Sequence, residues 1–356
     1  MILLVEPVCS TWVHEEVNAG FLQLITDNSD EEIVYIGEKR HIHCVRKLFG
    51  CPKIHYVEVN KVLRMEEADF YKNTAYYFRL MNKIVVKYKP EKMFILCGYR
   101  PCILASELNA FLHRKVRIYF VLHGMIEERK GHKESYMRLF RVSELCKRLC
   151  FISYSPYCTG KYWGVDENKF VFLHHPYVCT DRIGMEERRK SDSNKIIIGV
   201  IGACANDKAV KLITSMNQRQ KDQKYEFWVI SRFGKKFKPL DNVRVLSMEF
   251  ERKEVERMMQ NMNYLLLPYG RDEYSLSASG VLWDAIVNKL PCLMLDSKYF
   301  GYYMAFKIGY QAETIEQLCR IICEKTGEKK LEQEAFFVNL DKIAHENKEK
   351  VKHLLQ

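Results

Sequence analysis

The feature that most constrains this chain is a rhythm that runs twice. Short β-branched or aromatic runs at residues 2–6, 32–36, 54–59, 92–97, 117–122, 150–154 and 170–174 alternate with longer stretches of helical period, among them 13–25, 66–88 and 101–113. A series of this kind predicts a mostly parallel sheet with helices packed on each side.

The rhythm then restarts. Strands are expected at 195–201, 226–231, 243–246, 264–267 and 292–295, with helices at 209–217, 252–261 and 279–288. Residues 180–194 lie between the two series. They are charged, poor in large apolar side chains and carry Glu186, Glu187, Arg188, Arg189 and Lys190 in a row, so they read as a linker. The expected organisation is an N-terminal domain at 1–180, a linker at 181–194, a second domain at 195–330 and a terminal helix at 331–356. A chain of 356 residues is of the right size for two such cores. Near the end, Thr314 and Gln317 have capping-box spacing ahead of Ile315, Leu318, Ile321 and Ile322. In the last segment Phe336 or Phe337, Leu340, Ile343, Val351 and Leu354 recur on one face, predicting a helix of about 25 residues that packs back across both lobes.

Charge and cysteine usage narrow the setting. No apolar run approaches the roughly 20 residues that span a bilayer, and the N-terminus reads as a first strand rather than a signal peptide. The 13 cysteines are scattered through apolar strand-like segments without a Cys-x-x-Cys pair, which suits a reducing cytoplasm and gives no metal site by spacing. The net charge is +11, and residues 1–190 hold 30 Lys+Arg against 23 Asp+Glu. An ordinary solvated basic surface accounts for this, as does peripheral contact with anionic lipid or an anionic acceptor. Nucleic acid is not expected, because no basic block alternates with aromatics at a module spacing.

In open α/β sheets ligands bind beyond the carboxyl ends of strands, where helix N-termini favour anions. Two loops of the second half fit. After residues 195–201, Gly202 permits close backbone approach and Lys208 brings positive charge to the next helix, although a plain strand-to-helix turn has the same form. After 264–267, Tyr274, Ser277, Ser279 and Gly280 lead into a helix that carries Asp284 one turn inside. Ser279 and its neighbours suit phosphate and Asp284 suits ribose hydroxyls, while a capped helix with a surface acid is the plainer alternative. Neither a P-loop nor a Gly-x-Gly-x-x-Gly fingerprint occurs.

These pieces, taken in order with the 250–259 run, Asn263 to Tyr269, and Lys289 to Pro291, resemble the GT-B glycosyltransferases of the group often labelled family 1 or GT4-like. The resemblance spans about residues 194–296. It implies two Rossmann-like, doubly wound domains facing a central cleft, and a C-terminal domain that binds a nucleoside-diphosphate sugar. It also implies a metal-independent transfer with no further cofactor. The family's Glu-x7-Glu has Leu276 at its first position and Asp284 at its second, and the Arg that commonly follows the glycine loop is absent, leaving Lys208 with Arg232 or Lys235.

In the N-terminal half His14 and His123 follow strands, and each is a candidate base for an acceptor hydroxyl or, equally, a loop anchor. Arg100 is a lesser candidate for gripping an anionic acceptor. The expected activity is therefore sugar transfer to a glycan or lipid-linked acceptor at the cytoplasmic face. The rivals are a nucleotide-sugar 2-epimerase and a non-catalytic binding protein.

Overall fold

The structure is a computed structural model and describes residues 1–11, 13–59, 69–123, 126, 133–178, 195–219, 224–231, 236–237, 240–246, 252–271, 273–325, 336–337 and 340–356. The chain divides into two compact bodies. The first comprises Met1–Cys179 with Leu276–Ala278 and Asp341–Gln356, and the second Thr180–Ser275 with Ser279–Leu340.

The first body runs β1 (Ile2–Val5), α1 (Glu15–Thr26), β2 (Ile33–Glu38), α2 (Lys39–Leu48), β3 (Ile54–Val59), α3 (Phe70–Tyr88), β4 (Lys92–Ile95), α4 (Arg100–Leu112), β5 (Arg117–Leu122), α5 (Lys133–Ser143), β6 (Leu149–Ser153), α6 (Gly160–Trp163) and β7 (Phe170–Phe172). Its seven strands lie in the order β3-β2-β1-β4-β5-β6-β7, every pair parallel. The second body runs β8 (Ile196–Ile201), α7 (Asp207–Arg219), β9 (Tyr225–Ile230), β10 (Val243–Leu246), α8 (Arg252–Met259), β11 (Tyr264–Leu267), α9 (Gly280–Val287), β12 (Cys292–Leu295), α10 (Lys298–Tyr303), β13 (Gly309–Ala312) and α11 (Ile315–Lys325). Its six strands are also all parallel, in the order β10-β9-β8-β11-β12-β13. The last helix, α12 (Leu340–Leu355), counts with the first body from Asp341 onward.

Burial explains the apolar strand runs. All four residues of β1 and all six of β8 are buried. Each such aliphatic side chain contributes about 1.5–3 kcal/mol relative to exposure. Strand order reverses between β1 and β4 in one sheet and between β8 and β11 in the other. Each reversal opens a crevice at the carboxyl ends of the two strands, because their following helices depart to opposite faces.

Local signals place the helices. Glu38 accepts the His41 N–H at 2.9 Å to start α2, and the Thr314–Gln317 capping box forms reciprocally at 3.2 and 3.3 Å. Helix α1 presses backbone to backbone on the segment after β7. A Cβ on Gly20 would stand 2.5 Å from the Tyr177 nitrogen, so only glycine fits there.

The terminal helix differs from expectation. It covers 16 residues, and Phe337 lies before it with φ 61°, a left-handed conformation that ends the helical pattern read through that position. Strand β13 was not expected, since Gly309, Tyr310, Gln311 and Ala312 lack a β-branched run.

Helix α12 is held by polar bonds as well as by Ile343, Val351 and Leu354. The Asn347 side chain accepts the His174 N–H and donates to the His174 carbonyl, both at 2.8 Å. Tyr119 Oη donates to the Leu354 carbonyl at 2.8 Å. Asn347→Ala is expected to leave a buried N–H and C=O unmet and to destabilise the first body by about 2–4 kcal/mol. Denaturant unfolding with limited proteolysis of residues 340–356 measures it.

Candidate active site

In the second body the crevice between β8 and β11 collects most of the residues expected to bind the donor. After β8 the chain turns on Gly202, whose φ of 59° is left-handed and which strains any residue with a Cβ. A Cβ there would stand 3.9 Å from Val281 Cγ2, so this turn lies against the first turn of α9. The Ser231 hydroxyl, just past β9, donates to the Gly202 carbonyl at 2.8 Å and pins it. Asn206 then caps α7, its Oδ1 accepting the N–H groups of Lys208 and Ala209 at 3.0 and 3.1 Å.

Lys208 therefore projects from the start of α7 over the loop that follows β11. There its Nζ meets Glu273 Oε2 at 2.5 Å, and the same carboxylate oxygen accepts the Gly270 N–H. The lysine and the backbone N–H that would suit a phosphate already hold a carboxylate. Both side chains of the pair are nearly half exposed, at 41% and 48%, so an incoming anion can compete for them.

Tyr274 adopts a left-handed φ of 59°. Its ring lies edge-on to Tyr269 at 4.7 Å and near-parallel to Phe300 at 6.4 Å. Ser279 is the N-cap of α9, fully buried, with its hydroxyl accepting the Leu282 N–H at 3.3 Å. That is the plainer of the two sequence readings for its side chain. A Cβ on Gly280 would meet nothing within 4 Å, so the start of α9 opens on free space. Asp284 is buried one turn inside the helix. Burial, and then the Asp284 charge, push the Cys204 thiol up to about 12 despite a hydrogen bond to Tyr269, which places this acid beside the Gly202–Cys204 turn. Ser277 is buried and counts with the first body rather than the second. Leu276 is buried as well. Arg232 and Lys235 lie outside the described residues.

In the first body the crevice between β1 and β4 holds a buried polar cluster that the sequence showed only in fragments. Glu6, directly after β1, is buried and accepts the Val8 and Cys9 N–H groups at 2.9 and 2.8 Å on one oxygen and Asn18 Nδ2 at 2.8 Å on the other. Burial raises its pKa in spite of these three donors. Asn18 Nδ2 also lies 2.9 Å from His41 Nε2. Because that amide nitrogen donates, His41 Nε2 accepts, and its Nδ1–H donates to the Thr11 carbonyl at 2.9 Å. The network fixes the loop from Glu6 to His14, in which Thr11 and His14 both have positive φ, 55° and 57°.

His14 stands at the N-cap of α1 without capping it by its side chain. Its Nδ1 is 3.3 Å from Cys9 Sγ, and its ring is edge-on to His123 with centroids 4.3 Å apart. Burial opposes its charged form, but hydrogen bonding and charge from Cys97, with the charge of Glu6, lift its pKa above the ordinary value. His123, directly after β5, is the opposite case. Burial first, then the charges of His14 and His175, hold it well below the ordinary range, so it is neutral. Its Nδ1 has no hydrogen-bond partner among the described residues. Tyr154 and His175 close the other sides, with ring centroids at 5.5 and 5.3 Å. Arg100 begins α4 immediately after Cys97, Gly98 and Tyr99, at the mouth of the same crevice. A surface hollow of about 620 Å³ lies by residues 26–30 at the amino ends of the strands, away from this cluster.

No family model and no curated protein matches the sequence. Solved structures do. A glycosyltransferase from Rickettsia africae ESF-5 is similar over 100% of this chain and 98% of its own, with a TM-score of 0.62 at 13% identity. An α,α-trehalose-phosphate synthase (UDP-forming) from Burkholderia xenovorans, in complex with glucose-6-phosphate, matches over 99% and 98% with a TM-score of 0.65 at 11% identity. The chain has the GT-B fold. A UDP-GlcNAc 2-epimerase from Neisseria meningitidis bound to UDP-GlcNAc shares that fold, with a TM-score of 0.60 and 13% identity over 98% and 99% of the two chains. Among the described residues, no helix of this GT-B chain is long and apolar enough to cross a membrane.

Proposed function

We propose that this chain is a glycosyltransferase whose second body binds a nucleoside-diphosphate sugar and whose first body binds a glycan or lipid-linked acceptor. The observation that carries the reading is the pairing, at one sheet reversal, of the left-handed Gly202 turn with the open start of α9. The positive end of a helix dipole favours a diphosphate, and a glycine turn lets it approach. Asp284 lies below that turn as an acceptor for ribose hydroxyls, and the Tyr274 ring borders the same loop. As the sugar leaves, charge develops on the diphosphate and is met by the start of α9 and by Lys208. His123, neutral and buried with a free Nδ1, takes the acceptor proton. Arg100 faces an anionic acceptor. Transfer is expected to proceed without added Mg²⁺ or Mn²⁺.

A thermal-shift screen of UDP-, GDP-, ADP- and CMP-sugars tests the donor half, because a ligand bound only by the folded state raises its apparent stability. No shift with any of them would sink the reading. The Lys208–Glu273 pair makes a sharper prediction. Glu273→Gln removes the competing carboxylate and is expected to tighten diphosphate binding several-fold. Lys208→Ala is expected to weaken it roughly tenfold, the scale of one charge-assisted hydrogen bond. Calorimetric titration with the nucleoside diphosphate distinguishes the two signs.

The Neisseria neighbour bound to UDP-GlcNAc supports a second reading, a 2-epimerase that needs no acceptor. Donor incubated alone separates them, since an isomerised sugar identifies the epimerase. Tight nucleotide binding with neither transfer nor isomerisation would identify a binding protein, the reading that Leu276 favours.

A further inference from the structure

We propose that Cys9, His14 and Cys97 form a binding site for a soft divalent cation, zinc, that clips the loop after β1 to the loop after β4. The proposal does not depend on the transfer reaction. The two sulfurs and one imidazole nitrogen all lie within 4.8 Å of one another, with Cys9 Sγ and His14 Nδ1 at 3.3 Å. In a tetrahedral site with Zn–S about 2.3 Å and Zn–N about 2.0 Å, neighbouring ligand atoms are about 3.5–3.8 Å apart, so the cluster needs only small adjustments to close on one ion. Two thiolates and an imidazole select zinc over Mg²⁺ or Ca²⁺, which prefer all-oxygen shells.

Three further observations point the same way. Both cysteines are about 1% exposed, so the pair is shielded from competing ligands. Two left-handed residues, Thr11 and His14, each costing about 1–3 kcal/mol, lie in the segment where Cys9 and His14 come together. Finally, the His123 ring packs edge-on to His14 with centroids 4.3 Å apart and steadies that imidazole, and the fourth coordination position is left to a water. Cys97 lies far from Cys9 in sequence, which is why no spacing motif reveals the site. The strand reversal brings the two loops together.

Protein purified from zinc-supplemented medium, without chelator and with reductant, is expected to carry about one equivalent of zinc by plasma mass spectrometry. Exchange with Co²⁺ is expected to give a thiolate-to-cobalt charge-transfer band and the intense visible bands of a tetrahedral site. Cys97→Ser is expected to lose at least nine-tenths of the bound zinc, whereas Cys51→Ser, outside the cluster, keeps it. Should Cys97→Ser misfold, the cobalt spectrum of the unaltered protein still decides. Absence of zinc and of cobalt bands in folded wild type overturns the proposal, and so does a Cys9–Cys97 disulfide found by peptide mapping of the protein as purified.

Discussion

Replacing His123 with Asn is expected to lower kcat by roughly 10²–10⁴-fold while leaving nucleotide affinity within about twofold, the range for loss of a positioned general base. The split follows from where the residue sits. His123 belongs to the first body, after β5, and Gly202, Lys208, Gly280 and Asp284, the proposed donor residues, belong to the second. A base must be unprotonated before it accepts a proton, and burial together with the charges of His14 and His175 keeps His123 so. His14 is held above its ordinary pKa by Cys97 and Glu6, so less of it is in the form that accepts a proton. Transfer rate and calorimetric Kd, measured on one preparation of each variant, check the expectation. An unchanged kcat would remove His123 from the chemistry and leave it as a loop anchor.

How much of this was legible in the sequence varied with range. Central strands of parallel sheets are buried on both faces, so β5, β11 and β12 fall where the apolar runs predict them, and the half-exposed edge strands β3 and β10 fall where their β-branched residues do. Local chemistry was equally readable, as with the Thr314–Gln317 box and the turn at Gly202. Contacts between distant loops were not. The Lys208–Glu273 pair joins residues 65 apart in sequence, so the lysine read as free positive charge is already engaged. Glu6 looked like the end of a strand, yet it is the hub that orders Val8, Cys9 and Asn18. His41 gave no signal at all, because a histidine on a basic helix is ordinary until its ring is seen bonded to Asn18 and Thr11. Phe336 and Phe337 misled for the opposite reason: their spacing continues a helical face that the left-handed backbone at Phe337 has already left.

The Glu6 hub gives the second large expectation. Glu6→Ala leaves the buried Val8 and Cys9 N–H groups without acceptors and removes one of the two partners of Asn18 Nδ2. It is therefore expected to destabilise the first body by about 3–5 kcal/mol, at roughly 1–3 kcal/mol for each orphaned donor. Glu6→Gln is expected to cost less, because the amide oxygen keeps both N–H bonds, but its nitrogen then faces Asn18 Nδ2, donor against donor. Turning the Asn18 amide to relieve that clash presents its oxygen to His41 Nε2 and requires the other His41 tautomer, which forfeits the bond to Thr11. The damage thus passes from Glu6 to the loop that carries His14. Denaturant unfolding followed by a probe of the first body checks the order wild type, Gln, Ala. Ionisation adds a pH signature with a definite sign. Since burial raises the folded-state pKa of Glu6, the stability tied to its protonated form is fully present below the ordinary carboxyl pKa. It is lost as pH rises through the raised value. The advantage of wild type over Glu6→Gln is accordingly expected to shrink as pH increases across that window, and an advantage that grows instead would mean that the three donors, not burial, govern this carboxyl.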